Sequence, residues 1–521
     1  MTTLPYELID AIVKLLATQP LEDELEGDLD ARTQGVPADL LTLRKVSRMW
    51  RHGALPYLFK AVAIHLHDHP DRIQNAARLP TLLEAHSCGY GKYIRHVVIH
   101  VEVSSIHGYE FGQDLVTKFC ESGGVQLAVD TLMVNFITKA GPLNLYYFGN
   151  TSELISMKRA LSKYLPYVKT LGIENGHDCE MAEAMRQEVL GNTSLVPPSH
   201  IPFQSDIVDH IVKSWVKSRR LFTGLTRIHI SQPARVTANF ELLRRNADTV
   251  QEVSISAINS VFIDGFLYLS SDQRELYPEL VSLTVNMVEQ PLARINLLPL
   301  MRNPFPALKT FVSRGCSISG IENLLLHVGP QLVNLELTMD RYIFSAMEDL
   351  TMINPGIFPQ LISVKLDWDD FLGYLPTHDT TRLVTRMFTW SPVLRHAMHR
   401  LPEVHLPHHT LVNRQSVSLV SLDIEFTKVS FSMIPQLLQW FPRLETATFT
   451  LDCSEFATNS GRLDPDYMEL LADAPKAAEN RLRFIAVHLR SLSESLVPIL
   501  KLMFSKISPS FKCLKTLSVQ R

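Results

Sequence analysis

Twenty histidines are spread through a chain of 521 residues, and several fall at spacings that could hold a metal or move a proton. His65, His67 and His69 alternate along a stretch of strand composition, which puts them on one face with Asp68 on the other. His396 and His399 stand three apart, neighbours on a helix surface, and His405, His408 and His409 follow closely. No set among them has the ligand spacing of a metal site, so exposed or hydrogen-bonded imidazoles are expected. Other chemistry is thinner. Cys88-Gly89-Tyr90-Gly91-Lys92 lacks the correctly spaced first glycine and the Ser/Thr of a phosphate loop. No Gly-x-Ser-x-Gly elbow occurs. Asp367-Trp368-Asp369-Asp370 either grips a basic partner or is a solvated strand end. The sequence predicts no catalytic residue, no metal and no cofactor.

Bulk properties point the same way. Hydrophobic residues make up 46% and charged residues 20%, the profile of a globular chain. Fifty Lys+Arg against 54 Asp+Glu leave a formal charge of -4, so no basic excess points to nucleic acid or an anionic membrane. The six cysteines have no short paired spacing, which predicts a reducing compartment without disulfide or zinc framework. No signal-type leader or apolar run of the ~18 residues a membrane span needs is visible, so a cytoplasmic or nuclear protein is expected.

A chain this long needs more than one core unless it grows by repetition. The repeat is an apolar residue, then others three and five positions on. It reads Leu225/Ile228/Ile230, Val250/Val253/Ile255, Leu280/Leu283/Val285, Leu332/Leu335/Leu337, Leu361/Val364/Leu366, Leu419/Leu422/Ile424, Leu444/Ala447/Phe449, Leu482/Ile485/Val487 and Leu514/Leu517/Val519. Leu308/Phe311/Ser313 fits less well, and Ile94/Val97/Ile99 is an early copy. The step of 58 from Leu361 to Leu419 is close to two periods. Pro278, Pro306, Pro330, Pro359 and Pro442 each stand two residues before an anchor, where proline closes a helix and admits a strand. Residues 321–328 and 433–440 read as short helices before two of these corners. Strand, loop and short helix in register predict an α/β solenoid with a parallel sheet. A doubly wound α/β domain is the competing arrangement.

The N-terminus carries a different pattern. Leu4-Pro5-Tyr6-Glu7-Leu8 opens a helix with proline and a carboxylate in its first turn. Two apolar stripes follow, Leu8/Ile12/Leu15 and Ile9/Val13/Leu16, and a helix apolar on two sides must cover its own bundle and something else. Asp39 is the expected N-cap of a second helix with Leu40, Leu43, Val46 and Trp50 on one face. Leu-Pro-x-Glu-Leu followed by Leu-x-x-Val-Ser-Arg-x-Trp-Arg resembles an F-box, the module that docks the Skp-type adaptor of SCF ubiquitin ligases. The resemblance covers residues 1–60, and Ala17 to Ala38 form an acidic loop insert that an ungapped F-box lacks. The remainder, 61–521, resembles the irregular leucine-rich-repeat half of F-box proteins.

The resemblance implies a non-enzymatic substrate-recognition subunit that binds the Skp-type adaptor, and through it a cullin, while its repeats hold a protein target. Leu4, Pro5, Glu7, Leu8, Ile12, Leu43, Val46, Ser47 and Trp50 match the family's adaptor-docking motif. A scaffold without a degradation role, or an enzyme or small-molecule receptor with a helical hairpin, are the alternatives. Target contacts are expected on the open sheet face, at the residues alternating with the inward anchors. The candidates are Arg227, His229, Glu252, Asn334, Glu336, Lys365, Asp367, Asp423 and Glu425. Their expected exposure means that charge reversal at Glu336, Lys365, Asp367 and Glu425 should weaken target capture without costing stability.

Overall fold

The computed structural model describes residues 8–9, 11–13, 47–66, 79–103, 111–138, 151–177, 211–218, 221–231, 236–257, 277–287, 294–296, 303–314, 317–319, 321–339, 347, 349–350, 356–368, 390–400, 418–430, 441–452, 484–488 and 516–520. Two compact units divide the chain, Met1–Phe262 and Ile263–Arg521.

In the first unit, helix α1 (Arg48–Leu58) leads into strand β1 (Ala61–Leu66). There follow α2 (Leu82–Ser87), β2 (His96–Val103), α3 (Phe111–Glu121), β3 (Thr131–Thr138), α4 (Thr151–Tyr164), β4 (Thr170–His177), β5 (Arg227–Ser231), α5 (Val236–Arg245) and β6 (Glu252–Ala257). Local chemistry sets the helix starts. Thr81 and Glu84 form a reciprocal capping box on α2, satisfying donors that a helix N-terminus leaves open. The first amides of α3 are capped from the neighbouring helix, with Gly112 N and Gln113 N donating to Glu153 Oε2 at 2.9 and 3.0 Å. Gly112 is required there, because an added Cβ would lie 2.1 Å from the Glu153 carbonyl oxygen.

The second unit contributes β7 (Ser282–Met287), β8 (Arg294–Asn296), β9 (Thr310–Arg314), β10 (Ser317–Ser319), α6 (Ile321–Val328) and β11 (Asn334–Met339). It continues through β12 (Ser363–Trp368), β13 (His396–Arg400), β14 (Ser421–Ser430), β15 (Thr446–Asp452), β16 (Phe484–His488) and β17 (Thr516–Gln520). β8 and β10 form a separate two-stranded parallel ladder.

The fold class is α/β with parallel sheet. β1 to β6 lie side by side in chain order, and so do β7, β9 and β11 to β17. Neither row reverses direction, as a doubly wound sheet must at its switch point. The stacking step repeats closely. In the first unit the amides of Arg95 and His96 share the Lys60 carbonyl, those of Asp130 and Thr131 share that of Arg95, and those of Lys169 and Thr170 share that of Asp130. In the second, the Val281, Lys309, Val333, Ile362, Arg395 and Val420 carbonyls each accept two amides of the following repeat.

The expected anchors whose burial is described form the core, while those of the last two repeats, Leu482/Ile485/Val487 and Leu514/Leu517/Val519, are not among them. Leu225, Ile230, Leu280, Val285, Leu332, Leu337, Leu361, Leu366 and Leu419 are fully buried, each contributing about 1.5–3 kcal/mol by leaving water. The prolines sit inside tight turns rather than at bare corners. In Tyr277-Pro278-Glu279-Leu280 the Leu280 amide donates to the Tyr277 carbonyl at 3.3 Å, and Phe305/Leu308, Phe358/Leu361 and Phe441/Leu444 repeat the turn. Helix α6 occupies the predicted span 321–328; the helix expected at 433–440 lies outside the described residues.

The structure adds repeats that the pattern missed. The double step before Leu419 contains Leu394, Ala397 and His399, all buried, with the same turn from Ser391 through Pro392. Val129/Leu132/Val134 and Val168/Leu171/Ile173 are further copies in the first unit.

Candidate interaction surfaces

At the N-terminus, residues 8–9 and 11–13 are helical. Ile9 and Val13 are buried in a cluster with Ala54, Leu55 and Leu58 of α1, against which Trp50, Tyr57, Phe59 and Tyr90 pack. Gly53 permits this approach, since a Cβ there would stand 3.2 Å from Ile9 Cγ2. The other stripe is left out: Leu8 is 46% exposed and Ile12 half-buried. Met49, which the motif did not single out, is 37% exposed.

One expectation fails here. A single helical face from Leu40 to Trp50 is broken at Ser47, whose backbone is extended and whose hydroxyl accepts from Trp50 N as the N-cap of α1. A serine hydroxyl competes for backbone donors, so it starts a helix better than it continues one. Leu4, Pro5, Glu7, Leu43, Val46, Asp39 and the acidic insert lie outside the described residues.

In the second unit, the face opposite the anchors carries three rows defined by register. The first row runs Ser282, Thr310, Asn334, Ser363, His396, Ser421 and Thr446, a ladder of small hydrogen-bonding groups. Within it Asn334 Nδ2 donates to Thr310 Oγ1 at 3.1 Å, and Thr446 Oγ1 to Ser421 Oγ at 2.9 Å. The second and third rows hold charges. Arg314 grips Glu336 with two hydrogen bonds, Nε to Oε1 at 2.7 Å and Nη2 to Oε2 at 3.0 Å. Lys365 Nζ reaches Glu336 Oε1 at 3.1 Å and Asp367 Oδ2 at 3.5 Å. Burial alone would push the Glu336 carboxyl up. The Arg314 hydrogen bonds and charge, aided by Lys365, outweigh it and hold that carboxyl below its ordinary range.

Three candidates expected on this face, Glu336, Lys365 and Asp367, are thus brought into one ion-pair network, together with Arg314, which the sequence reading passed over. Asn334 is exposed beside them and Asp423 is in register with Met398. Two expectations need correction. Glu336 is only 9% exposed, because flanking cations fold over it, so charge reversal there must cost stability. Glu425 does not continue the row: the β14–β15 register jumps between Ile424 and Lys428, and residues 425–427 form an excursion.

The corresponding face of the first unit is different. Arg227 and Glu252 pair at 3.0 Å on the outer row as solvent-facing neighbours. His229 was expected to face solvent and instead is 4% exposed, with Nε2 3.9 Å from Glu174 Oε1. Its row runs Ala63, Val98, Met133, Gly172, His229 and Ser254, of which the first four are buried and apolar and Ser254 at the end is half-buried. Met133 lies across Gly172, where an added Cβ would meet its Sδ at 2.2 Å. The next row holds His65 and His100, stacked at 4.8 Å between ring centroids, followed by Asn135 and Glu174.

The histidine spacings do not build a metal site among the described residues. His396 and His399 sit on a strand, where residues three apart face opposite ways, which corrects the helical reading. His396 is exposed, while His399 fills the third anchor slot of its repeat, fully buried, and burial pushes its pKa down to about 3. His67, His69, Asp68, His405, His408, His409, Asp369 and Asp370 lie outside the described residues. Gly91-Lys92-Tyr93 forms a single 3-10 turn. Cys88 and Cys120 are free and exposed. Among the described residues no helix is long and apolar enough to cross a membrane. No protein-family model matches this chain, and no curated protein matches its sequence.

Proposed function

We propose that this protein is a substrate-recognition subunit of an SCF-type ubiquitin ligase. Its N-terminal helices dock a Skp-type adaptor, and through it a cullin, while an irregular leucine-rich-repeat-like solenoid binds a protein target. The observation that carries the reading is the two-sided N-terminal helix. Ile9 and Val13 are spent on the protein's own cluster, whereas Leu8 and Met49 leave apolar surface exposed beside it. Strands stacked in chain order favour a solenoid, and its open face carries hydrogen-bonding and charged side chains suited to a protein partner. No step in this role needs a catalytic group, a metal or a cofactor, and the protein would work in the cytoplasm or nucleus.

Co-purification with the adaptor tests the proposal. The double substitution Leu8→Asp, Leu43→Asp should abolish adaptor capture, because a charge left unpaired in an apolar interface costs several kcal/mol. Undiminished capture by the folded variant would remove the assignment.

A further inference from the structure

We propose that the turn edge of the second unit is a track for an extended acidic peptide of the pattern acid–x–apolar–x–acid, which rests on and deepens the reading that this unit holds a protein target. The edge is made by the residue that precedes each strand. Four consecutive rungs are fixed by hydrogen bonds: Val333 N donates to the Lys309 carbonyl, Ile362 N to that of Val333 and Arg395 N to that of Ile362, each at 2.8 Å. Lys309 and Arg395 are exposed, and neither has an ion-pair partner among the described residues. Between them Val333 and Ile362 are only half-buried, while the anchors Leu332 and Leu361 fill the core at those rungs. Apolar side chains left at a wet edge between two unpaired cations suit a partner that is apolar in its middle and anionic at both ends. The acids of this edge stand outside the four rungs. Glu279 precedes the rung of Val281, and Glu445 lies two rungs beyond Arg395.

Two spacings set the pattern. Neighbouring strands lie about 4.8 Å apart, so the three steps from Lys309 to Arg395 span roughly 14 Å. An extended chain advances about 3.4 Å per residue, so its positions i and i+4 are also roughly 14 Å apart and point the same way. A carboxylate at each then meets one cation. Position i+2 falls at roughly 7 Å, midway between Val333 and Ile362, and an aliphatic side chain there covers both. A helical partner does not fit, because its i+4 side chain is carried only about 6 Å along the axis. The peptide backbone would run beside the first row of the open face. There Thr310, Asn334, Ser363 and His396 directly follow the four rungs, all half-buried or exposed and each able to donate or accept a hydrogen bond.

Fluorescence anisotropy on the full chain tests this with labelled Gly-Ser-Glu-Ser-Leu-Ser-Glu-Ser-Gly against Gly-Ser-Glu-Leu-Ser-Ser-Glu-Ser-Gly, which has the same charge and composition but turns its leucine away. The first should bind with a Kd below about 1 mM and about tenfold tighter than the second. Lys309→Glu, Arg395→Glu should weaken the first by at least about tenfold. Should that variant fold poorly, Lys309→Gln, Arg395→Gln must show the loss instead. Val333→Ser, Ile362→Ser should erase the preference between the two peptides. Adaptor capture by the same proteins reports separately on the N-terminal helices: its loss would remove the ligase reading and leave this site standing, and a failed peptide pattern would do the reverse. No binding by the wild type, equal binding of the two peptides, or binding indifferent to the cation variants overturns the proposal. So does tighter binding of a thymidine oligonucleotide, which would make the two cations phosphate contacts, or self-association that closes this edge.

Discussion

The two units use the same turn-strand step and fill it with different chemistry. In the first, the third inward slot is β-branched in every strand: Ile64, Ile99, Val134, Ile173, Ile230 and Ile255. Its opposite face is also apolar along the middle row, through Ala63, Val98 and Met133. In the second, polar groups enter both faces. Ser313 and His399 occupy buried inward slots, and Arg314, Glu336, Lys365 and Asp367 pair on the other side. The backbone ladder is thus indifferent to much of its filling, and each unit should fail under a different stress.

The largest difference should come from Met133→Asp. A carboxylate at a fully buried site has only Val98 and Gly172 as its register neighbours, neither able to pair with it, so a loss of more than about 3 kcal/mol is expected by denaturant unfolding. A loss below about 1 kcal/mol would mean that the middle row is wet in solution and the contrast between the units is false.

Glu336→Lys should cost the second unit about 2–4 kcal/mol, since it leaves Arg314 and Lys365 facing a third cation. Glu336→Gln should cost about half as much. Its pH signature is sharper. Because the folded carboxyl is held below its ordinary range, its stabilisation is present above the unfolded pKa and is lost as pH falls through the folded one. Wild type should therefore lose stability in acid more steeply than Glu336→Gln, and parallel pH curves would show that the network contributes nothing.

The smallest effect near neutrality belongs to His399→Leu. The unfolded imidazole takes a proton near the ordinary value of about 6.5, whereas the buried one resists until about 3. Its contribution is therefore complete above the unfolded pKa and falls by roughly 1.4 kcal/mol for each pH unit below it. The leucine variant should flatten that limb of the stability curve. An unaltered limb would place the imidazole in water.

These contrasts explain what could be read in advance. The leucine, isoleucine and valine anchors announced themselves through spacing, because an inward strand slot selects apolar side chains and the period repeats. Leu394/Ala397/His399 escaped because a histidine in the third slot gives no apolar signal, even though the gap of two periods marked the place. The paired charges were legible as surface candidates but not as a network. Arg314 and Glu336 are 22 residues apart in the chain, and only the register of β9 against β11 makes them neighbours. His229 was misplaced for the same reason: its burial belongs to the strands beside it rather than to its own segment. Ser47 stands in the matched motif, and its second role as the start of a helix was not legible from that match.

Chain-order stacking has a consequence for how the protein comes into being. Within each unit the described strands of the main sheet pair in chain order, so each pairing joins sequence neighbours, although β4 and β5 must close a long connection with Thr170 opposite Arg227. As the polypeptide leaves the ribosome, β2 can settle on β1, then β3 on β2, with each growing edge covered by the next arrival. Assembly can then keep pace with translation from the N-terminus onward, and a stalled chain would present one open strand edge at a time.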